Sequence, residues 1–252
     1  MKPTIALTAK WFTYPDRLNW ILGHDFALEY APDPQHLDQL PQQISPFLTK
    51  SVPVRFHGFL PGYEIGHADP KMAAKGLRGH KAVLDAIQGL GEPVLTIHVG
   101  LKPDDPIDPQ RAIENLAALV AHGNALGITV CLENLRRGYT SHPEIVANWA
   151  EKTGAAITLD LGHAASCDDV KTGKCTSLDF IAAFADKLHE IHLYGTETDR
   201  HHPPQNITEI SSLLDQILQT HCQWWTIELD DYEEVLFTRQ MVLEYLKEDK
   251  IR

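Results

Sequence analysis

No stretch of the chain approaches the roughly 18 to 20 consecutive apolar residues needed to cross a bilayer, so a membrane-spanning helix is not expected. The opening Met1-Lys2-Pro3-Thr4-Ile5-Ala6-Leu7-Thr8 turns polar too quickly for a signal peptide. The four cysteines, Cys131, Cys167, Cys175 and Cys222, show no CxxC spacing, which points to reduced thiols in a cytoplasmic protein. Cations are in deficit. Lys and Arg number 22 against 34 Asp and Glu, a formal net charge of −12. A surface of that sign offers no footprint for a phosphate backbone or an anionic membrane. Low-complexity tracts and linker-like composition shifts are also missing, so residues 1–252 are expected to form one domain.

What is present is alternation. Short β-rich runs at 4–8, 25–30, 54–59, 94–99, 128–134, 156–161, 189–194 and 225–229 are separated by longer segments. Helical periodicity is clear at 111–126, 143–153, 207–220 and 233–247. Eight βα units in about 250 residues predict a single (β/α)₈ TIM barrel. Period two within the strands sorts the side chains. One face is aliphatic, for example Ile5 and Leu7, Val130 and Leu132, or Ile191 and Leu193. The other carries Thr8, Glu29, His57, His98, Glu133, Asp160, His192 and Glu228 at or near the C-terminal ends. Arg55 and Glu190 share that inner face and are expected to pair.

So many ionisable groups aimed into one lumen would cost several kcal/mol each if left unpaired. A bound cation removes that cost, and imidazole with carboxylate suits Zn²⁺, Mn²⁺, Co²⁺ or Fe²⁺. Barrel active sites lie at this end of the strands. Lys102, Arg136, Arg137 and Arg200 are the nearest cations beyond the strands, able to hold a phosphate or carboxylate. Glu29, Lys102, Arg136 and Arg200 are the candidate substrate contacts. The glycine-bearing stretch 59–67 reads as an active-site lid or a plain surface loop. Trp224-Trp225 reads as packing between barrel and helices.

The ordered segments Phe56-His57-Gly58, Ile97-His98-Val99-Gly100, Leu132-Glu133-Asn134-Leu135, Asp160-Leu161-Gly162-His163-Ala164, Ile191-His192-Leu193, Asp199-Arg200-His201-His202 and Ile227-Glu228-Leu229 resemble the xylose isomerase-like barrels. That group includes sugar and sugar phosphate isomerases and epimerases, and the endonuclease IV family. In the isomerases and epimerases the resemblance implies one metal held by Glu133, Asp160, His192 and Glu228. Glu133 and Glu228 would also be the catalytic acid/base pair, and His163 a substrate contact. In the endonuclease IV family the resemblance implies three zincs, with His57, His98, His163, Asp199 and His201 as further ligands.

The expected function is a divalent-metal-dependent isomerase or epimerase of a sugar, sugar phosphate or related polyol. The alternative is a multinuclear zinc phosphodiesterase of the endonuclease IV type. The acidic balance, short connections and a glycine-free His202-Pro203-Pro204-Gln205-Asn206 segment favour the first. One ion is favoured, with up to three possible, and the partner is a small carbohydrate rather than nucleic acid or a membrane. The oligomeric state is not written in the sequence.

Overall fold

The computed structural model describes residues 2–13, 15–102 and 104–248. Eight parallel strands close into a barrel in sequence order: β1 (Thr4–Lys10), β2 (Ala27–Ala31), β3 (Val54–Gly58), β4 (Val94–Ile97), β5 (Thr129–Glu133), β6 (Ala156–Asp160), β7 (Leu188–Leu193) and β8 (Trp224–Ile227), which pairs back onto β1. All eight expected strands are present, with ends that coincide or shift by at most two residues. Helices fill the connections: α1 (Asp16–Leu22), α2 (Leu40–Thr49), α3 (Pro70–Ile87), α4 (Pro109–Leu126), α5 (Pro143–Thr153), α6 (Leu161–Ser166), α7 (Asp168–Lys171), α8 (Ser177–Phe184), α9 (Ser211–Ile217) and α10 (Tyr232–Glu248). No helix among the described residues is long and apolar enough to cross a membrane.

Local chemistry sets the helix ends. Asp69-Pro70 and Asp108-Pro109 open α3 and α4: Asp69 accepts the Lys71 N–H, Asp108 accepts those of Gln110 and Arg111, and each Pro takes N1. The helical pattern expected over 207–220 is broken into a 3₁₀ turn, Ile207–Glu209, and then α9. Asn206 caps the turn by accepting from the Thr208 N–H, and Ile210 leaves the helical region at φ −122°.

The aliphatic face of every strand packs outward on the helices, forming one continuous core. The inner face is layered. At the floor, Trp224 sits with Ala6 and Ala27, and the Arg55 guanidinium lies 4.4 Å from its ring. Thus only Trp225 follows the expected packing onto helices; Trp224 plugs the barrel. Arg55 pairs with Glu190 at 3.3 Å as expected, and reaches Glu92 at 3.4 Å. Above them Thr96 and Thr158 hydrogen-bond at 2.7 Å. At the rim Arg17 of α1 donates to the carbonyls of Thr8, Leu229 and Asp230, stitching the end of β1 to the exit of β8.

The stretch 59–67 is seated on the barrel. Ile65 is buried, and the Glu64 carboxylate accepts the N–H groups of Gly66 and Gly100 at 2.7 and 2.6 Å. Gly76 and Gly79 of α3 leave the room that the Glu64 backbone and the Tyr63 ring occupy.

Candidate metal centre

The inner faces of the strands deliver a crowded set of donors to the C-terminal rim. Glu29, His57, His98, Glu133, Asp160, His192 and Glu228 are all buried there. Glu133, Asp160, His192 and Glu228 form one group whose donor atoms lie within 4.8 Å of one another. His192 Nδ1 is 3.4 Å from Glu133 Oε1, 3.6 Å from Glu228 Oε2 and 3.9 Å from Asp160 Oδ2. Ligands about 2.0–2.2 Å from a tetrahedral ion stand roughly 3.3–3.6 Å apart, so the group is near coordination size.

A second group shares Glu133. His57 Nε2, His98 Nε2 and Glu133 Oε2 form a triangle with sides of 3.2, 3.4 and 3.0 Å. A third group joins His163, Glu197 and His201, with His163 Nε2 3.4 Å from Glu197 Oε2. His163 Nδ1 faces the Asn134 carbonyl at 2.9 Å, and His201 Nδ1 faces that of Glu228 at 2.8 Å. A carbonyl accepts the Nδ1–H, which leaves each Nε2 lone pair for the group.

The donors are electrostatically bound to one another. Burial works against ionised Glu133, but His98 and His192 outweigh it and hold the carboxyl well below its usual range. Burial likewise opposes the charge of Glu228, where His192, His201, His57 and Lys10 prevail and lower it. Burial and the Glu133 carboxylate push Asp160 well up. On His192, the carboxylates of Glu29, Glu133 and Glu228 overcome burial and raise it well above an ordinary imidazole. Both Glu133 oxygens, Asp160 Oδ2, His192 Nδ1 and Glu228 Oε1 are buried without a hydrogen-bond partner. Orphaned acceptors at this depth are costly, and a divalent ion would satisfy them together. The residues therefore fit the metal that the resemblance implies.

Several expected contacts stand outside the donor groups or are engaged by other partners. Asp199 does not join the third group: its side chain is 92% exposed, because the short hairpin of Thr196–Glu197 with His201–His202 turns Glu197 inward instead. Arg200 is engaged by Glu234 at 2.7 and 2.8 Å. Arg136 is spent on the hairpin, with Nε 3.2 Å from Glu197 and Nη1 donating to the carbonyls of Glu197 and Thr198. Lys102 is exposed and borders a void of only about 10 Å³ beside His80 and His98, too small for a substrate. Glu29 is fully enclosed against His57 and His192 and reaches no cleft. Two residues were missed by sequence reasoning. Glu197 lies off the Asp-x-His spacing. Lys10, two residues past Thr8 on the same strand face, lines a cleft of about 200 Å³ with Thr8, Glu197, His201, Glu228 and Asp230, and the expected Asp199 and Arg200 line it too. The period-two pattern carried far enough along β1 would have found Lys10. A larger cleft, about 600 Å³, lies away from the donors, beyond Arg136 and beside α7.

A closed parallel barrel with imidazole and carboxylate donors grouped at the C-terminal rim defines the class: a (β/α)₈ barrel with candidate metal-ligand groups above its lumen. The chain belongs to the xylose isomerase-like TIM barrel family, whose profile matches residues 24–247. Among curated proteins it is similar to the uncharacterised protein MJ0008 of Methanocaldococcus jannaschii, 32% identical over 168 residues, covering 66% of this chain and 72% of that one. Among solved structures it is similar to a D-tagatose 3-epimerase-like protein, with TM-score 0.77, 14% identity, and 99% and 100% of the two chains covered. It is also similar to endonuclease IV from Thermus thermophilus, with TM-score 0.69, 17% identity, and 98% and 100% covered. At these identities the two structural likenesses are likenesses of fold.

Proposed function

We propose that the protein is a divalent-metal-dependent isomerase or epimerase acting on a small sugar, sugar phosphate or related polyol. The observation that carries this reading is the placement of two carboxylates, Glu133 and Glu228, in one donor group beneath a cleft of about 200 Å³. That volume suits a small molecule and leaves little room for a strand of nucleic acid. The net charge of −12 also disfavours a polyanion.

Glu133, Asp160, His192 and Glu228 would hold the ion. When bound, it polarises carbonyl and hydroxyl oxygens and so acidifies the C–H beside the carbonyl. One glutamate would then remove that proton and the other return a proton to the carbon; Glu228 lines the cleft, and Glu133 lies behind it in the same donor group. His201 is fixed by its Nδ1 contact to the Glu228 carbonyl and lines the same cleft, where it orients a substrate oxygen. The fold is compatible with several chemistries, so the assignment rests on these residues.

A second reading, a multinuclear zinc phosphodiesterase, is favoured by a specific observation: the two further donor groups, His57–His98–Glu133 and His163–Glu197–His201. Several ions around a phosphate would clamp the attacking and leaving oxygens.

The test is solvent-deuterium exchange into carbon-bound positions across a panel of ketoses, sugar acids and their phosphates, beside cleavage of a phosphodiester and of an abasic-site duplex. Exchange that disappears in both Glu133→Gln and Glu228→Gln supports the lead reading. Exchange at wild-type rates in both variants, or duplex cleavage without exchange, overturns it.

A further inference from the structure

Glu29 stands under the donor groups rather than among substrate-facing residues. Both its oxygens lie 3.2 Å from His192 Nε2, and Oε1 lies 3.3 Å from His57 Nδ1. Each histidine turns its other nitrogen to the rim. His192 Nδ1 faces Glu133, Asp160 and Glu228, and His57 Nε2 faces Glu133 Oε2 at 3.4 Å.

We infer that Glu29 is a positioning residue that fixes the proton of His192 on Nε2 and that of His57 on Nδ1, so that a lone pair of each ring faces the donor groups. This rests on the metal-dependent reading above and goes beyond it by assigning the residue that prepares the ligands.

A neutral imidazole has one N–H and one lone pair, and an ionised carboxylate only accepts. Two ring nitrogens facing one carboxylate must therefore both carry protons, which leaves both opposite nitrogens as donors to a metal. Glu190 Oε1, 3.8 Å from the same His192 nitrogen, adds a carboxyl on that side. Glu29, His57, His192 and Glu228 also lie close enough to hold an ion themselves. Such an ion would take the very nitrogens that Glu29 keeps protonated, so the two arrangements exclude each other. Buried atoms without a hydrogen-bond partner lie on both sides, Glu29 Oε2 and His57 Nδ1 below and both Glu133 oxygens, Asp160 Oδ2 and His192 Nδ1 at the rim; the larger number at the rim favours the arrangement inferred here.

The test is zinc affinity, measured by chelator competition on the metal-stripped full-length protein. Glutamine removes the negative charge and puts an NH2 group in place of one of the two oxygens that both approach His192 Nε2, so a donor there opposes a proton on that nitrogen. Glu29→Gln is expected to weaken the tightest zinc by about 10- to 100-fold, in line with the loss of an outer hydrogen-bond partner. Glu29→Asp, which keeps the carboxylate, is expected to fall between. Long-range ¹⁵N–¹H spectra of the zinc-loaded wild type should show the protons on His192 Nε2 and His57 Nδ1. A proton on His192 Nδ1, a Glu29→Gln affinity within twofold of wild type, or anomalous scattering that puts the ion on Glu29 overturns the inference and leaves the metal-dependent reading intact. No zinc uptake by the wild type overturns both. If Glu29→Gln fails to fold, Glu29→Asp and the wild-type spectra decide.

Discussion

The Nε2 atoms of His57 and His98 face each other across 3.2 Å, and both face the same oxygen of Glu133. Two imidazole nitrogens this close need a proton or a cation between them. Metal counting on the purified protein is therefore the most direct measurement. The isomerase reading expects one equivalent to survive a weak chelator. That equivalent should persist in a His57→Gln/His98→Gln variant, whose four-donor group is intact, and should be lost in His192→Gln. Two or three retained equivalents, the extra ones lost with His57 or His201, would move the phosphodiesterase to first place.

Lys10 lines the cleft with Glu228, and its ammonium lies 4.7 Å from the centre of the Phe59 ring. No carboxylate pairs with it among the described residues. A hydrogen bond from a charged donor is worth about 1.5–3 kcal/mol, or about 10- to 100-fold in affinity. Lys10→Met should raise KM by that factor for a phosphate- or carboxylate-bearing substrate while kcat stays within a fewfold. An unchanged KM for every active substrate removes Lys10 from the binding role.

Gly162 in the Asp160-Leu161-Gly162-His163 segment lies against the ring of Tyr194, where a Cβ would overlap the Tyr194 side chain. That ring stacks on His201 at 4.0 Å with an interplanar angle of 4°. Gly162→Ala should destabilise the protein by about 1–3 kcal/mol, as overpacking does, and displace His201 through Tyr194. Urea unfolding measures the first effect. A crystal structure of the variant, with Tyr194 and His201 unmoved, would refute the second.

Burial lowers His80 of α3 to about 4, with His98 adding to the effect. The unfolded chain, with an ordinary value of 6.5, binds a proton between these limits that the folded chain refuses. Stability should therefore fall as pH drops from about 6.5 toward 4 and level off below. At pH 5 the loss from this residue is about 2 kcal/mol. His80→Gln removes it, so the stability gap between wild type and variant should shift by that amount between pH 7 and pH 5. Chelated samples keep the metal out of the comparison. A gap independent of pH would exclude His80 as a source of acid lability.

Most of the barrel was legible because each strand obeys period two, with one aliphatic face and one face of donors. That rule placed Arg55 with Glu190 and brought His57, His98, Glu133, Asp160, His192 and Glu228 to one rim. It did not reach residues set by turns. Glu197 faces inward because Arg136 and the Ser166 hydroxyl, which accepts its backbone N–H at 2.7 Å, hold the hairpin from distant parts of the chain. Arg200 and Arg136 looked free because their partners, Glu234 and the hairpin carbonyls, are remote in sequence or belong to the backbone. Trp224 could not be told from Trp225 without knowing that Arg55 and two alanines leave a hole at the barrel floor.

The hairpin that carries Glu197 and His201 is the one part of the donor set not borne on barrel strands, on the residue directly after a strand (His98, Glu228) or on α6 just beyond β6. Strand ends move little, whereas a hairpin tied by a few polar contacts tolerates insertion, deletion and change of register. Glu133, Asp160, His192 and Glu228 are thus hard to alter without losing the fold, while the third group can be gained or dismantled by a change of a few residues. In a lineage built this way, divergence between proton transfer on small polyols and phosphodiester hydrolysis would be written in that hairpin, and ancestral or chimeric hairpins grafted onto one unchanged barrel would be the natural place to look for enzymes that do both.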